Sequence, residues 1–323
     1  MSNQLRIGSR GSKLALWQSH HVAQLLEAAH GDALDVDVQV FSTRGDRIQD
    51  RPLPEIGGKG LFTEELERAL HEGEIDVAVH SLKDLPTDSP SGLDVLAMPQ
   101  RADPRDALVV RQDHLEAFVD SVDESDPFGV LPKGGVIGTS SLRRAAQLRR
   151  HSSELVLHDI RGNVDTRLRK LDEGGYDGIL LACAGLDRLG LGDRIYRRLD
   201  GMWLGAAGQG AIAIQGRAGD QETLRWLVAI DHGPTRLEVT AERTLLHVLE
   251  GGCSLPLGVR AEEVEGGLCL SAVLLTPESD LEVRSERSGA ATMDGARRLG
   301  QDLAKDLMAR GGERVLARVR GHQ

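Results

Sequence analysis

Twice in its first two hundred residues the chain runs through the same grammar: a short apolar strand, a loop of glycine, serine and arginine, then an amphipathic helix. That alternation permits few folds, because strands joined through helices lie side by side in a mainly parallel sheet. Such a sheet takes ligands at the carboxyl ends of its strands, and the arginine-bearing loops fall at those ends. In the first pass a strand over 5–8 leads to Ser12 as N-cap and a helix to about 29, striped by Val22, Leu25, Leu26 and Ala29. A strand over 36–40 follows. Gly57-Gly58-Lys59-Gly60 then precedes a helix with Phe62, Leu66, Ala69 and Leu70 on one face. A buried-type strand over 76–79 delivers Ser81, Lys83 and Asp84 at its end.

The second pass begins beyond a polar stretch near residue 100. It predicts a strand over 136–139, Ser140 as N-cap, a helix over 142–150, and a strand over 155–157. A helix striped by Val164, Leu168 and Leu171 ends at Gly174-Gly175, and a strand over 179–184 runs into Gly185-Leu186-Asp187-Arg188. Residues 206–210 read as a flexible small-residue hinge, and 211–215 as a strand returning to the first sheet. From about 233 the pattern changes to a helix over 238–249, three strand-like runs near 257–261, 268–275 and 281–284, and a helix over 295–309. The expected domains are 1–99 with 211–230, then 100–210, then 231–323, the last a small α/β domain with an antiparallel sheet.

Composition narrows the function. Aromatic residues make up 3% of the 323 residues, too few for a base-stacking nucleic-acid surface. The net charge of −11 opposes nucleic acid and anionic membranes. Of the 39 basic residues 33 are arginine, whose planar fork grips carboxylates in a way lysine does not. Local arginine groups in an acidic chain point to an anionic small ligand. Cys183, Cys253 and Cys269 are too few for a disulfide framework, there is no signal-like apolar stretch near Met1, and no run is long enough to span a bilayer. A cytoplasmic protein is expected. No apolar run suggests an interface, so a monomer is expected.

Several positions carry chemistry. Asp84, in a loop after a buried strand, can stabilise a developing cation or move a proton, with Lys83 beside it to bind an acid group. Thr139, Ser141, Arg143 and Arg144 sit at a helix start, where N–H groups and hydroxyls hold anions. Two arginines in a first turn oppose the helix dipole, which predicts a ligand anion that compensates them. Arg161, Asn163 and Arg167 repeat the device at the next strand end. Arg188 does so after the third, and Arg10 with Ser12 does so in the first domain. Cys253, between a glycine pair and Ser254-Leu255-Pro256, sits in a loop able to expose its sulfur for alkylation. No metal-ligand spacing, dinucleotide fingerprint or phosphate loop occurs.

These motifs resemble the porphobilinogen deaminase family from Leu5 to the last helix. The matching strings, in order, are RGSKLALWQ, STRGD, GGKGLF, AVHSLKDLP, DPRDA, GTSSLRR, RGNVDTRLRKL, AGLDRLG, GQGAIAI and LEGGC. The resemblance implies two lobes like type II periplasmic-binding proteins, plus a third domain whose loop carries Cys253. It implies a dipyrromethane cofactor held by a thioether to Cys253, and a transferase that deaminates porphobilinogen and joins four units head to tail into hydroxymethylbilane. It implies that Asp84, with Lys83, is catalytic. Arg10, Arg143, Arg144, Arg161, Arg167 and Arg188 match arginines that bind ring acetates and propionates. Ser12, Lys59, Ser81, Lys83, Thr139, Ser141 and Asn163 match secondary polar contacts, and Phe62 an aromatic near the rings. The product would pass to the next enzyme of tetrapyrrole synthesis. The rival reading is a hinged two-lobe binding protein for an anionic small molecule, which would have no use for a cysteine facing its cleft.

Overall fold

A computed structural model describes residues 3–43, 63–113, 126–249 and 255–321. The chain divides into two compact units, 1–102 with 210–236 and 103–209 with 237–323.

In the first unit the strands are β1 (Gln4–Arg10), β2 (Asp35–Phe41), β3 (Val77–Ser81), β4 (Leu93–Ala97) and β10 (Ile212–Arg217), numbered along the whole chain. Their order across the sheet is β2-β1-β3-β10-β4. β1 runs parallel to β2 and β3, whereas β10 is antiparallel to β3 and β4. The expected return of 211–215 to the first sheet is therefore present, inserted between β3 and β4. Helix α1 (Lys13–His30) lays Val22 and Leu26 on one sheet face, against Ile7, Val77, Val79, Ile212 and Ile214. Helix α2 (Glu64–His71) covers the other face with Leu66, Ala69 and Leu70 against Ala78 and Leu93. Consecutive residues of β3 thus point to opposite cores, as the two-residue period of a strand covered on both sides requires. Gly8 in β1 lets the strand pass close under the buried side chains of Ile75 and Leu66, which would have to shift to admit a Cβ there.

The second unit repeats the plan. Strands β5 (Asp106–Val110), β6 (Val136–Gly138), β7 (Val156–His158), β8 (Gly178–Ala182) and β9 (Arg197–Leu199) lie in the order β7-β6-β8-β5-β9. β6 is parallel to β7 and β8, and β5 is the antiparallel strand. Helices α3 (Leu142–His151), α4 (Val164–Asp172) and α5 (Cys183–Arg188) follow β6, β7 and β8. Two expectations are corrected here. The N-cap of α3 is Ser141 rather than Ser140, whose Oγ instead donates to Ile160 O at 2.7 Å. β8 ends at Ala182, and the segment expected to continue it as strand and loop is the short helix α5. In the first unit, α6 (Gln221–Leu227) is capped by Asp220 and returns to the α1 face through Leu227.

Helix α7 (Gly233–Val248) leads into β11 (Leu257–Val264), β12 (Gly267–Leu275) and β13 (Glu282–Gly289), an antiparallel meander as expected. Helix α8 (Met293–Leu307) packs on it, and Gly311, at φ 110°, turns the chain into α9 (Glu313–Gly321). The core joins Leu245, Leu257, Val259, Leu270, Leu303 and Leu307. Residues 206–210, read as a small-residue hinge, form a largely buried turn, and the chain passes from one compact unit to the other between 209 and 210. Gly208 N donates to the fully buried Glu242 carboxylate at 2.7 Å, which also accepts from Ala261 N at 2.9 Å. Among the described residues no helix is long and apolar enough to cross a membrane.

Candidate functional site

Because β1 and β3 are parallel neighbours, their carboxyl ends share one edge of the first sheet. Arg10, Ser12, Ser81, Lys83 and Asp84 all emerge there. Ser12 is the N-cap of α1, its Oγ accepting from Ala15 N at 3.3 Å. Ser81 Oγ accepts from Gln18 Nε2 at 2.8 Å, which ties the end of β3 to the same helix. A single 3-10 turn, Leu82–Asp84, then presents the two charged residues. Leu82 and Leu85 are buried on either side of them, Lys83 is half-buried and Asp84 is exposed. The apolar pair pins the turn while the carboxylate faces solvent. Beneath it His80 is 6% exposed, its Nε2 within 3.1 Å of Gln215 Oε1. Burial, the largest influence, outweighs that hydrogen bond, and with nearby Arg10 it pushes the imidazole down to about 4, so His80 is neutral.

In the second unit β7, β6 and β8 likewise end on one edge. Thr139 is buried, and its Oγ1 accepts from Ser141 N at 3.2 Å. Ser141 Oγ accepts from Arg144 N at 3.5 Å as the cap of α3. At the end of β7, Gly162 takes φ 111° and Asn163 holds the N-cap position of α4 without bonding the helix, leaving its amide exposed. Arg167 Nε donates to Gly162 O at 2.8 Å, and Lys170 Nζ donates to Arg161 O at 3.1 Å, so α4 braces the loop that carries Arg161. Arg188 closes α5; burial alone pushes its guanidinium down to about 10. A half-buried cation of this kind is favoured by a neighbouring anion.

Arg143 and Arg144 require a correction. The dipole argument predicts that they await a ligand anion, yet both are only 6% exposed and both bond the fully buried Asp106. Arg143 Nη1 donates to Asp106 Oδ2 at 2.6 Å, and Arg144 donates to Asp106 Oδ1 through Nη2 at 2.7 Å and Nε at 3.0 Å. Burial would raise the Asp106 carboxyl, but the two guanidiniums hold it well below the usual carboxylate range. Burial likewise lowers Arg143 against the pull of Asp106. The first compensating charge therefore comes from the protein. Sequence reasoning missed Asp106 although it stands in the DPRDA string: an aspartate opening a run of Ala-Leu-Val-Val reads as a turn residue until its partners are known. Cys253, Lys59 and Phe62 lie outside the described residues.

Solved structures similar to the chain include the periplasmic VFT2 domain of Bordetella pertussis BvgS, at 18% identity over 71% of this chain and 86% of that one, with TM-score 0.39. Full-length CbnR in complex with its target DNA matches at 12% identity over 70% and 67%, with TM-score 0.42. YhfZ from Shigella flexneri matches at 13% over 77% and 91%, with TM-score 0.33. At such scores these likenesses carry no weight, and the fold rests on the chain's own sheets. The family comparison is of another order. Residues 5–225 match the porphobilinogen deaminase dipyrromethane cofactor binding domain, and 236–309 match the porphobilinogen deaminase C-terminal domain. The first match takes in both strand-end clusters and the second the whole meander and α8, so the chain belongs to the porphobilinogen deaminase family, whose cofactor is dipyrromethane.

Proposed function

We propose that the chain deaminates porphobilinogen and condenses four molecules head to tail into hydroxymethylbilane, with dipyrromethane tethered through a thioether to Cys253 in an attachment domain spanning 231–323. The observation that carries this reading is the family match over 5–225. The donor set supports it. The cofactor and the substrate are pyrroles bearing acetate and propionate groups, and the strand ends offer hydroxyls, an exposed amide and arginines. Dipyrromethane, when bound, supplies the primer pyrrole to which substrate units are added.

The chain's own residues then divide the work. Arg10, Arg161, Arg167 and Arg188 bind ring carboxylates, each charge-assisted bond contributing about 1.5–3 kcal/mol. Ser12, Lys59 and Phe62 complete the substrate contacts. Ser81, Thr139, Ser141 and Asn163 orient the cofactor, with Arg143 and Arg144 supplying the charge that Asp106 leaves uncancelled. Asp84, on its pinned turn, accepts from pyrrole N–H groups and stabilises positive charge that develops on the ring as ammonia leaves. Lys83 holds a substrate acid group beside it. The reaction is carried out in the cytoplasm by a monomer, and its product passes to the next tetrapyrrole enzyme.

The test is the intact mass of the purified protein beside a Cys253→Ala control, before and after incubation with porphobilinogen. The expected result is an adduct of two porphobilinogen units less two ammonias, absent from the control. A chain that stays unmodified through the incubation, and merely retains porphobilinogen, would be a binding protein instead.

A further inference from the structure

Asp106 collects more hydrogen bonds than a structural ion pair requires. Arg143 reaches its two oxygens through Nη1 at 2.6 Å and Nη2 at 3.3 Å, and Arg144 reaches Oδ1 through Nε and Nη2. Trp203 Nε1 adds a bond at 2.8 Å to Oδ2, and Gln209 Nε2 one at 2.9 Å to Oδ1. The guanidiniums are fixed a second time by carbonyls: Arg143 Nη1 donates to Leu204 O at 2.8 Å and Arg144 Nη1 to Leu180 O at 2.9 Å. Gln147, one turn along α3, grips Leu204 through both N and O at 2.9 Å. The two guanidiniums are thus held from β5 through Asp106, from β8 through Leu180 and from Leu204.

The charges do not balance. Two guanidiniums face one carboxylate, and among the described residues no other carboxylate bonds either of them. A buried site with one surplus positive charge is costly, because burial penalises any uncancelled ion. A purely structural role would be met by one arginine and one aspartate. Arg143 Nε, moreover, makes no hydrogen bond to the described protein. The arrangement leaves one positive charge uncancelled by a protein carboxylate, on guanidiniums held in place by Asp106 and by two backbone carbonyls.

We infer that Asp106 is the positioning residue of this pair: it cancels one charge, holds the two forks side by side, and leaves the other charge for a single ring carboxylate of the cofactor. This rests on the reading above, in which the pair binds the cofactor. It predicts that cofactor loading depends on Asp106 even when the fold does not.

The test uses wild type, Asp106→Asn and Trp203→Phe. Asp106→Asn keeps the size and removes the charge; Trp203→Phe removes one bond to Asp106 and leaves every charge in place. The fraction of chains carrying the covalent adduct, and the rate of loading on adding porphobilinogen, are read by intact mass at a temperature well below melting, with the melt followed by circular dichroism. We expect Asp106→Asn to load at least about tenfold more slowly while folded, and Trp203→Phe to fall between it and wild type. A merely structural role would lower the melting temperature of folded variants and leave loading at the wild-type rate; that result overturns the inference. Should Asp106→Asn fail to fold, Trp203→Phe decides: slowed loading supports the role and unchanged loading overturns it. Absence of any adduct on wild type would overturn the underlying reading and the positioning role with it, a result distinct from normal loading of the variants.

Discussion

His80 illustrates how burial can decide the charge of a side chain next to the turn that presents Asp84. It is buried beneath the Leu82–Asp84 turn and uncharged, with its pKa pushed from 6.5 down to about 4 mainly by burial. Between those values the unfolded chain binds a proton that the folded chain refuses, so stability rises with pH across that window. The contribution is complete above about pH 6.5 and lost on acidification toward 4, a span worth on the order of 3 kcal/mol. His80→Gln keeps a partner for Gln215 and removes the titration. Urea midpoints at pH 7.5 and 5 are expected to lie closer together in this variant than in wild type, and equal spacing would contradict the assignment. Asp84 is the opposite case, an exposed carboxylate held on a buried frame. Asp84→Ala is expected to shift stability by no more than about 0.5 kcal/mol and to cut turnover by at least about 100-fold. Full activity of the purified variant would remove Asp84 from the mechanism.

At the scale of elements, legibility followed from whether a segment's partners are local. Helix α1 and strand β3 announce themselves through periodicity and caps, and both lie where the sequence predicts. β5 escapes notice because it opens with Asp106, whose burial is made tolerable only by arginines nearly forty residues away. β9 is three residues long and was equally silent. Ser140 and Ser141 are chemically alike, and which one caps α3 is settled by the contact of Ser140 with Ile160 across the β6–β7 edge. The strand-end placement of Asp84, Arg161 and Asn163 could be read from sequence; the internal pairing of Arg143 and Arg144 could not. Packing between helices sets a further test. A Cβ on Gly300 of α8 would lie 2.6 Å from Ala241 O and 2.9 Å from Leu245 N, both backbone atoms of α7. Alanine gains about 1 kcal/mol of helix propensity, but backbone cannot swing aside as a side chain can, so the clash wins. Gly300→Ala is expected to destabilise by about 1–3 kcal/mol in denaturant titrations. A neutral or stabilising effect would mean that α7 and α8 are further apart than described.

For the whole molecule, the two similar sheets are built with opposite economies of chain. In the second, β5 through β9 come from one stretch of about a hundred residues. In the first, four strands come from residues 4–97, while β10 arrives from 212–217 and separates β3 from β4. β10 supplies Ile212 and Ile214 to the α1 core and pairs with both neighbours, so β4 has no place in the sheet without it. The first unit therefore cannot be completed until the chain has passed through the second, and its long-range pairing carries a loop-closure cost that local contacts do not. A fragment ending at residue 209 would keep every strand of the second sheet and leave β3 with an open, apolar edge. It is expected to retain a cooperative transition for 103–209 while the 4–102 segment exchanges its amide protons freely or drives association. Hydrogen exchange read by mass spectrometry distinguishes the two halves. Protection of β1 and β3 at full-length levels in that fragment would show that β10 is an addition to a sheet already stable, and that the first unit folds from its contiguous residues alone.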